Sequence, residues 1–227
     1  MSAAALLETR KLTMSFGGLT ALDQIDVAVR PGETLGLIGP NGAGKSTFFN
    51  VVTGIYAPSD GQVVFRGEDL GGLRSHQVVR RGIARTFQNN RLFWQLSILD
   101  NVLVGMHLRQ RATLVDVLAR YGRARRELNA CAEEAIEILN HFSLDLAAQS
   151  SRPVLDLPQG DRRRVEICRA LASKPTLLLL DEPSAGMSPD ETDKLMDDIA
   201  TVRRKFSGIT IVVIEHDMGV IEKIADR

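Results

Sequence analysis

Between the apolar stretch Thr34 to Ile38 and the segment Thr47 to Thr53, which can continue as a helix, the chain reads Gly39, Pro40, Asn41, Gly42, Ala43, Gly44, Lys45, Ser46. The run meets the pattern GxxxxGK[ST], and strand, glycine-rich loop and helix in that order form a phosphate-binding loop. Each residue type has a reason to be there. Glycines let the backbone wrap closely round an anion, so successive N–H groups point at phosphate oxygens while the following helix adds its positive end. Lys45 would reach the β- and γ-phosphates, and the Ser46 hydroxyl would go to Mg²⁺. A glycine-rich turn that merely caps a helix is the plainer alternative, and the strand before the loop and the helix after it count against it. The loop therefore points to an α/β chain that binds a nucleoside triphosphate.

Composition narrows what such binding could serve. With 227 residues, 44% of them hydrophobic, the chain can bury a sizeable core as one large domain or two small ones. Lys plus Arg and Asp plus Glu both number 28, so no bulk positive field gathers nucleic acid or an anionic membrane surface. Cys131 and Cys168 give no disulfide framework; they suit a reducing compartment and read as small buried apolar side chains. The opening residues lack a basic stretch followed by a long apolar core. Uninterrupted apolar runs such as Leu177 to Leu180 fall far short of the roughly 20 residues that span a bilayer. The expectation is a chain that works at a membrane only by docking on another protein.

Loose alternation from Leu6 to Phe16 and from Gln24 to Arg30, with a turn at Pro31 to Glu33, predicts antiparallel strands leading into the phosphate-loop strand. Further strands are predicted at Gln62 to Arg66 and Ile83 to Phe87. From about Ser97 to Leu157 the period becomes helical, with Leu114, Val117, Leu118 and Tyr121 on one face and Ala132, Ala135, Ile136 and Leu139 on another. Arg120, Arg123, Arg125 and Arg126 read as a solvated face of this insertion. A parallel pattern then returns: helix Asp161 to Ser173, strand Thr176 to Leu180, helix Asp190 to Lys205, strand Ile209 to Ile214 and a helix from Asp217. Continuous apolar strands alternating with helices predict a buried parallel sheet with its ligand at the carboxyl ends of the strands.

Two of those strand ends carry acids and a base. The apolar strand Leu177 to Leu180 delivers Asp181 and Glu182, followed by Pro183, to the sheet edge. Successive side chains diverge at a strand end, so Asp181 can serve Mg²⁺ while Glu182 orients or deprotonates the attacking water. The reading in which these acids only cap a turn leaves the four-leucine strand downstream of a phosphate loop unexplained. His216, just after the strand Ile209 to Ile214, reaches the same edge. A lone histidine there is more often structural, but beside these acids it reads as a donor to the γ-phosphate. Gln88, after Phe87, can ligate Mg²⁺ or the water through its amide oxygen and join nucleotide state to movement.

Taken together, GPNGAGKST (Gly39 to Thr47), TFQ, LLLLDEPSAG and VIEHD, in this order and spacing, resemble the ATP-binding-cassette ATPases over nearly the whole chain. The resemblance implies a phosphate-loop ATPase core with a parallel sheet, an N-terminal antiparallel β subdomain, and a helical subdomain inserted at about residues 95–160 of a single 1–227 ATPase domain. It implies that Phe16 stacks on adenine, where tyrosine is commoner. Ser184 to Asp190 matches the loop through which two ATPase subunits communicate, with Ser188 where many members have aspartate. The segment that a partner subunit's γ-phosphate meets is here Leu157, Pro158, Gln159, Gly160, Asp161. Proline removes a hydroxyl donor but suits the first turn of a helix, and Asp161 adds negative charge near a triphosphate. Participation of this half-site is expected to be weakened rather than absent.

RTFQNNRLFWQLSILDNVLVGMH and RRRVEICRALASKPTLLLLDEPSAGMSPDE, with the helical insertion, look like the ATP-binding subunit of a bacterial branched-chain amino acid importer. Relatives that import urea or amides are the alternatives, with a non-transport cassette acting on nucleic acid or ribosomes, or a stand-alone kinase, further off. The resemblance implies ATP and Mg²⁺, a second ATPase subunit in a homo- or heterodimer, integral membrane permease subunits, indirectly a substrate-binding protein, no nucleic acid, and a peripheral place on the cytoplasmic face of the inner membrane. The groove near Gln88 and Asn89 to Trp94 would receive a coupling helix of the permease, through exposed Leu92, Phe93 and Trp94, with packing of these three in the core as the equal alternative. Family members continue beyond the position of Arg227 with another strand and an extension.

Overall fold

The computed structural model describes residues 4–87, 91–110, 121–206 and 208–227. The chain divides into two units, one of residues 1–88, 176–185 and 202–227 and one of residues 89–175 and 186–201. The first holds two sheets. In the antiparallel sheet β2 (Leu19–Val29) and β4 (Asp60–Phe65) flank β1 (Leu7–Phe16), and β5 (Glu68–Asp69) closes the order β2-β1-β4-β5. In the parallel sheet β3 (Thr34–Leu37), β8 (Thr210–Ile214), β7 (Leu177–Asp181) and β6 (Ile83–Arg85) lie side by side in that order.

Register in the parallel sheet places the chemistry. Leu37 lies opposite Ile214, and Ile214 opposite Asp181, so the residues that follow β3, β7 and β8 leave one common edge. Every residue of β7 and β8 is buried, as a strand covered on both faces requires. Leu7, Leu12 and Phe65 of the antiparallel sheet join Leu177, Leu179, Val212 and Ile214 of the parallel one in a single core, with Phe49 and Val52 of α1 (Lys45–Val52) between them in sequence. Fully burying side chains of this size contributes roughly 1.5–3 kcal/mol each. This unit also holds α2 (Ser75–Arg80) and α8 (Met218–Ile224), whose Asp217 cap accepts from the Gly219 N–H.

The second unit contains α3 (Ile98–Gly105), α4 (Tyr121–Phe142), α5 (Leu144–Ala148), a 3₁₀ turn at Val154–Asp156, α6 (Gln159–Leu171) and most of α7 (Pro189–Lys205). A Cβ on Gly105 would run into the Arg169 carbonyl oxygen, so α3 and α6 approach more closely than any larger residue permits. Asn101, fully buried, accepts from the Phe93 N–H at 2.8 Å and donates to the carbonyls of Phe93 and Ser97, pinning the segment that carries Trp94.

Several elements depart from the sequence pattern. β2 starts at Leu19 rather than Gln24, because three register shifts between β1 and β2 break the alternation that would have marked its first half. α2 and β5 carried no readable start: the residue before α2 is Arg74, which has no side-chain oxygen to accept an N–H of the first turn, although Gln77 Oε1 accepts the Arg74 N–H at 2.8 Å. α6 begins at Gln159, two residues before the expected Asp161. In α4, Ala135 and Leu139 are buried as expected, with Ala132 and Ile136 half-buried, and Arg123, Arg125 and Arg126 are exposed. Leu114, Val117, Leu118 and Arg120, and the side chain of Tyr121, lie outside the described residues.

Candidate functional site

Gly44 caps α1 at φ 84°, a left-handed conformation, and a Cβ there would collide with the Ala21 carbonyl oxygen. Both facts demand glycine, and the tight turn lets the first N–H groups of α1 face outward from the loop. Lys45 Nζ donates to the carbonyl oxygens of Gly39 at 2.5 Å and Pro40 at 3.0 Å, so the ammonium sits back along the loop. Asn41 to Thr47 line a cavity of about 310 Å³ together with Phe16, Leu19, Ala21 and Glu182. That is within the size range of small-ligand sites. Ser46 is exposed in the first turn of α1.

Phe16, at the end of β1, is 43% exposed and meets the edge of Tyr56, ring centroids 5.3 Å apart at 77°. An edge-on neighbour leaves the other ring surface available for stacking. Leu19 and Ala21 escaped sequence reasoning because they lie in the half of β2 whose alternation the bulges scramble.

Glu182 enters the cavity from a backbone at φ 46°, costly for a residue with a side chain. Its own N–H donates to the Ile214 carbonyl at 3.0 Å, and the Ser184 N–H donates to Glu215 Oε1 at 2.8 Å, so the segments after β7 and β8 hold each other. His216 Nε2 stands 2.6 Å from Glu182 Oε1, with Glu182 8% exposed. The two residues named separately from the sequence thus form one pair at the mouth of the phosphate loop.

Asp181 is buried, and its Oδ2 accepts from Arg85 Nη2 at 2.7 Å, while its Oδ1 is buried with no hydrogen-bond partner. Arg85 also donates from Nη1 to Asn50 Oδ1 at 2.7 Å. Neither Arg85 nor Asn50 was singled out from the sequence; the available signal was a lone charge between Ile83–Ala84 and Thr86–Phe87 in a strand otherwise apolar. Gln88 lies outside the described residues.

In the second unit Leu157 and Gly160 are buried. Pro158 occupies the N-cap of α6 at φ −58°, ψ 161°, rather than the first helical turn, because the helix starts at Gln159. Asp161 is held by Arg164 Nη1 at 2.9 Å, and Arg164 Nε also reaches Asp198 Oδ2 at 2.7 Å. The charge of Asp161 is therefore matched within its own helix. Burial pushes the Asp198 carboxyl above its ordinary range even with Arg164 beside it. Ser188 and Glu191 form a capping box: the Ser188 N–H donates to Glu191 Oε2 at 2.9 Å, and the Glu191 N–H donates to Ser188 Oγ at 3.3 Å. The Ser188 hydroxyl is thus already used by α7. Leu92, expected at the surface, is 5% exposed and belongs to the core, while Phe93 and Trp94 are 52% and 39% exposed. Arg162 stacks on Trp94, its Cζ 5.1 Å from the ring centre.

Among the described residues no helix is long and apolar enough to cross a membrane. Residues 22–185 match the family described as ABC transporter. The chain is 39% identical to the high-affinity branched-chain amino acid transport ATP-binding protein LivG of Escherichia coli (strain K12), over 98% of this chain and 86% of that protein. Among solved structures it resembles a nucleotide-free ATP-binding cassette from an ABC transporter, with a TM-score of 0.83 at 30% identity over 98% of this chain and 85% of the other. It also resembles the ADP conformation of an ATP-binding cassette, with a TM-score of 0.81 at 29% identity, again over 98% and 85%.

Proposed function

Because the chain belongs to the ABC transporter family, whose cassettes bind nucleotide and hydrolyse ATP, we propose that it powers an importer of branched-chain or other hydrophobic amino acids. The observation that carries the catalytic part is the Glu182–His216 pair, 2.6 Å apart where the phosphate-loop cavity meets the sheet edge. In this reading Glu182 accepts the proton of the attacking water, and His216 contacts the γ-phosphate and steadies that water. Gly39 to Thr47 hold the phosphates, Lys45 exchanging the carbonyls of Gly39 and Pro40 for phosphate oxygens. Phe16 stacks on adenine, and Gln88 senses nucleotide state.

The donor set fits Mg²⁺. The buried, unpartnered Oδ1 of Asp181 and the exposed hydroxyl of Ser46 are hard oxygen donors, and Gln88 supplies a third. Among the described residues no group of three or more His, Cys, Asp or Glu is arranged to hold a metal by itself, so the ion would share its shell with substrate phosphate and water. When bound it neutralises charge building on the phosphates.

Leu157 to Asp161 would complete the site of a second ATPase subunit, with Gly160 and the N-terminus of α6 as donors and Pro158 offering none. Closure of two such subunits over ATP, at the cytoplasmic face of the inner membrane, drives integral membrane permease subunits, which a substrate-binding protein supplies. In this reading the chain is one ATPase domain with a helical subdomain at about residues 95–160, and exposed Phe93 and Trp94 meet the permease. Reconstitution in liposomes with the permease and binding protein tests it. ATP hydrolysis should rise with leucine-loaded binding protein and not with urea or amides; a rate indifferent to amino acid would overturn the substrate assignment.

A further inference from the structure

Arg85 is an expensive residue to bury. Its side chain is 6% exposed, its Nε has no hydrogen-bond partner, and the carboxylate it pairs with keeps an unpartnered oxygen of its own. Apolar residues in place of a buried ion pair are commonly as stable or more so, so stability alone does not account for the arrangement. Its geometry does suggest a task. One end of the guanidinium fork holds Asp181 Oδ2 at 2.7 Å; the other donates to Asn50 Oδ1 at 2.7 Å and Thr53 Oγ1 at 3.4 Å, tying β7 to α1, the helix that carries Lys45 and Ser46. Phe49 and Phe87 confine the guanidinium, with ring centres 5.3 and 5.1 Å from its carbon. Thr86, the next residue, accepts the Asp181 N–H at 3.3 Å through its hydroxyl. Both the carboxylate and the backbone of Asp181 are thereby fixed by two successive residues, Arg85 and Thr86.

We propose that Arg85 is a positioning residue of the nucleotide site: it clamps one oxygen of Asp181 against α1 and leaves the other, Oδ1, as the oxygen offered to a phosphate-bound divalent cation. The proposal rests on the nucleotide and Mg²⁺ reading given above. The planar fork matters because it spans two acceptors at once, which a lysine ammonium cannot do in the same fixed geometry.

Binding of a fluorescent ATP analogue, titrated with Mg²⁺ and repeated in chelator, reads this role without any turnover. Arg85→Met should need about tenfold more Mg²⁺ for half-maximal binding, equivalent to about 1.4 kcal/mol, with Arg85→Lys between it and the wild type. Affinity in chelator should stay within about twofold, since Arg85 touches no part of the phosphate loop in its ligand-facing stretch. A folded Arg85→Met protein that titrates with Mg²⁺ as the wild type does overturns the proposal, and so does one that loses affinity equally in chelator. Where Arg85→Met does not fold, Asn50→Ala carries the test, because Asn50 bonds the other end of the fork; a shift of about threefold supports the clamp and no shift overturns it. A wild-type chain without Mg²⁺-dependent nucleotide binding would instead overturn the functional reading, and this inference with it.

Discussion

His216 Nε2 and Glu182 Oε1 lie 2.6 Å apart although 34 residues separate them in sequence. Parallel pairing of β7 with β8 produces the contact, since it sets Asp181 opposite Ile214 and sends both chain segments out at one edge. The positive φ of Glu182 then turns its carboxylate toward the phosphate loop.

Removing the imidazole should cost catalysis and spare binding. His216→Ala is expected to lower ATP hydrolysis by about two orders of magnitude, the usual effect of losing one preorganised donor at a developing charge. Glu182→Gln should fall at least as far. ATP affinity should change by no more than a few-fold in either, because Lys45 and the loop amides remain. Phosphate release beside nucleotide titration checks this, and hydrolysis at the wild-type rate in His216→Ala would remove His216 from the catalytic group.

Gly44→Ala should damage the loop itself. The substitution places a Cβ in a left-handed conformation and against the Ala21 carbonyl; together, strain and overpacking cost roughly 2–4 kcal/mol. Thermal unfolding should move down, and nucleotide affinity should drop with it, as α1 can no longer start where its amides face the cavity. A variant with unchanged melting temperature would show that the loop relaxes freely.

How much of this could be read from the chain depended on whether local chemistry or long-range pairing set each feature. The phosphate loop, the Asp181–Glu182 strand end and His216 are legible because residue type, spacing and apolar flanks all act over a few residues. Leu19, Ala21, Arg85 and Asn50 were not. The first two lie on a strand whose alternation is broken by bulges that only its pairing with β1 reveals. Arg85 and Asn50 meet 35 residues apart, and the apolar neighbours of Arg85 hint at burial without telling which distant group receives its guanidinium. Ser188 is the reverse case, since Ser188 and Glu191 spell a capping box at a spacing that the sequence shows directly.

Pro158→Ser separates a stability effect from a catalytic one. Serine at this N-cap should contribute about 1 kcal/mol through its hydroxyl, while loss of the proline ring gives back roughly 0.4–1 kcal/mol by loosening the unfolded chain. The melting temperature should therefore barely move. Hydrolysis by the assembled two-subunit complex should nonetheless rise, because the hydroxyl restores a donor toward the partner's nucleotide. An unchanged or lower rate at unchanged stability would mean that the missing donor does not limit turnover.

Acid should weaken the second unit through Glu134. Arg109 donates to both of its oxygens at 2.8 Å, and Lys174 adds a contact at 3.0 Å; the Arg109 hydrogen bonds lead in holding the Glu134 carboxyl below its ordinary 4.5, against a desolvation effect that pushes it up. A depressed carboxyl binds its proton more readily in the unfolded chain, so its contribution is fully present above pH 4.5 and is lost as pH falls through the lower folded value. Glu134→Gln should consequently be less stable than the wild type at pH 7, and the gap should narrow as pH drops below 4.5. Denaturant midpoints of the two proteins measured from pH 7 to pH 3.5 check the sign. A gap that stays constant across that range would show that the packing of Glu134, and not its charge, is what Arg109 holds in place.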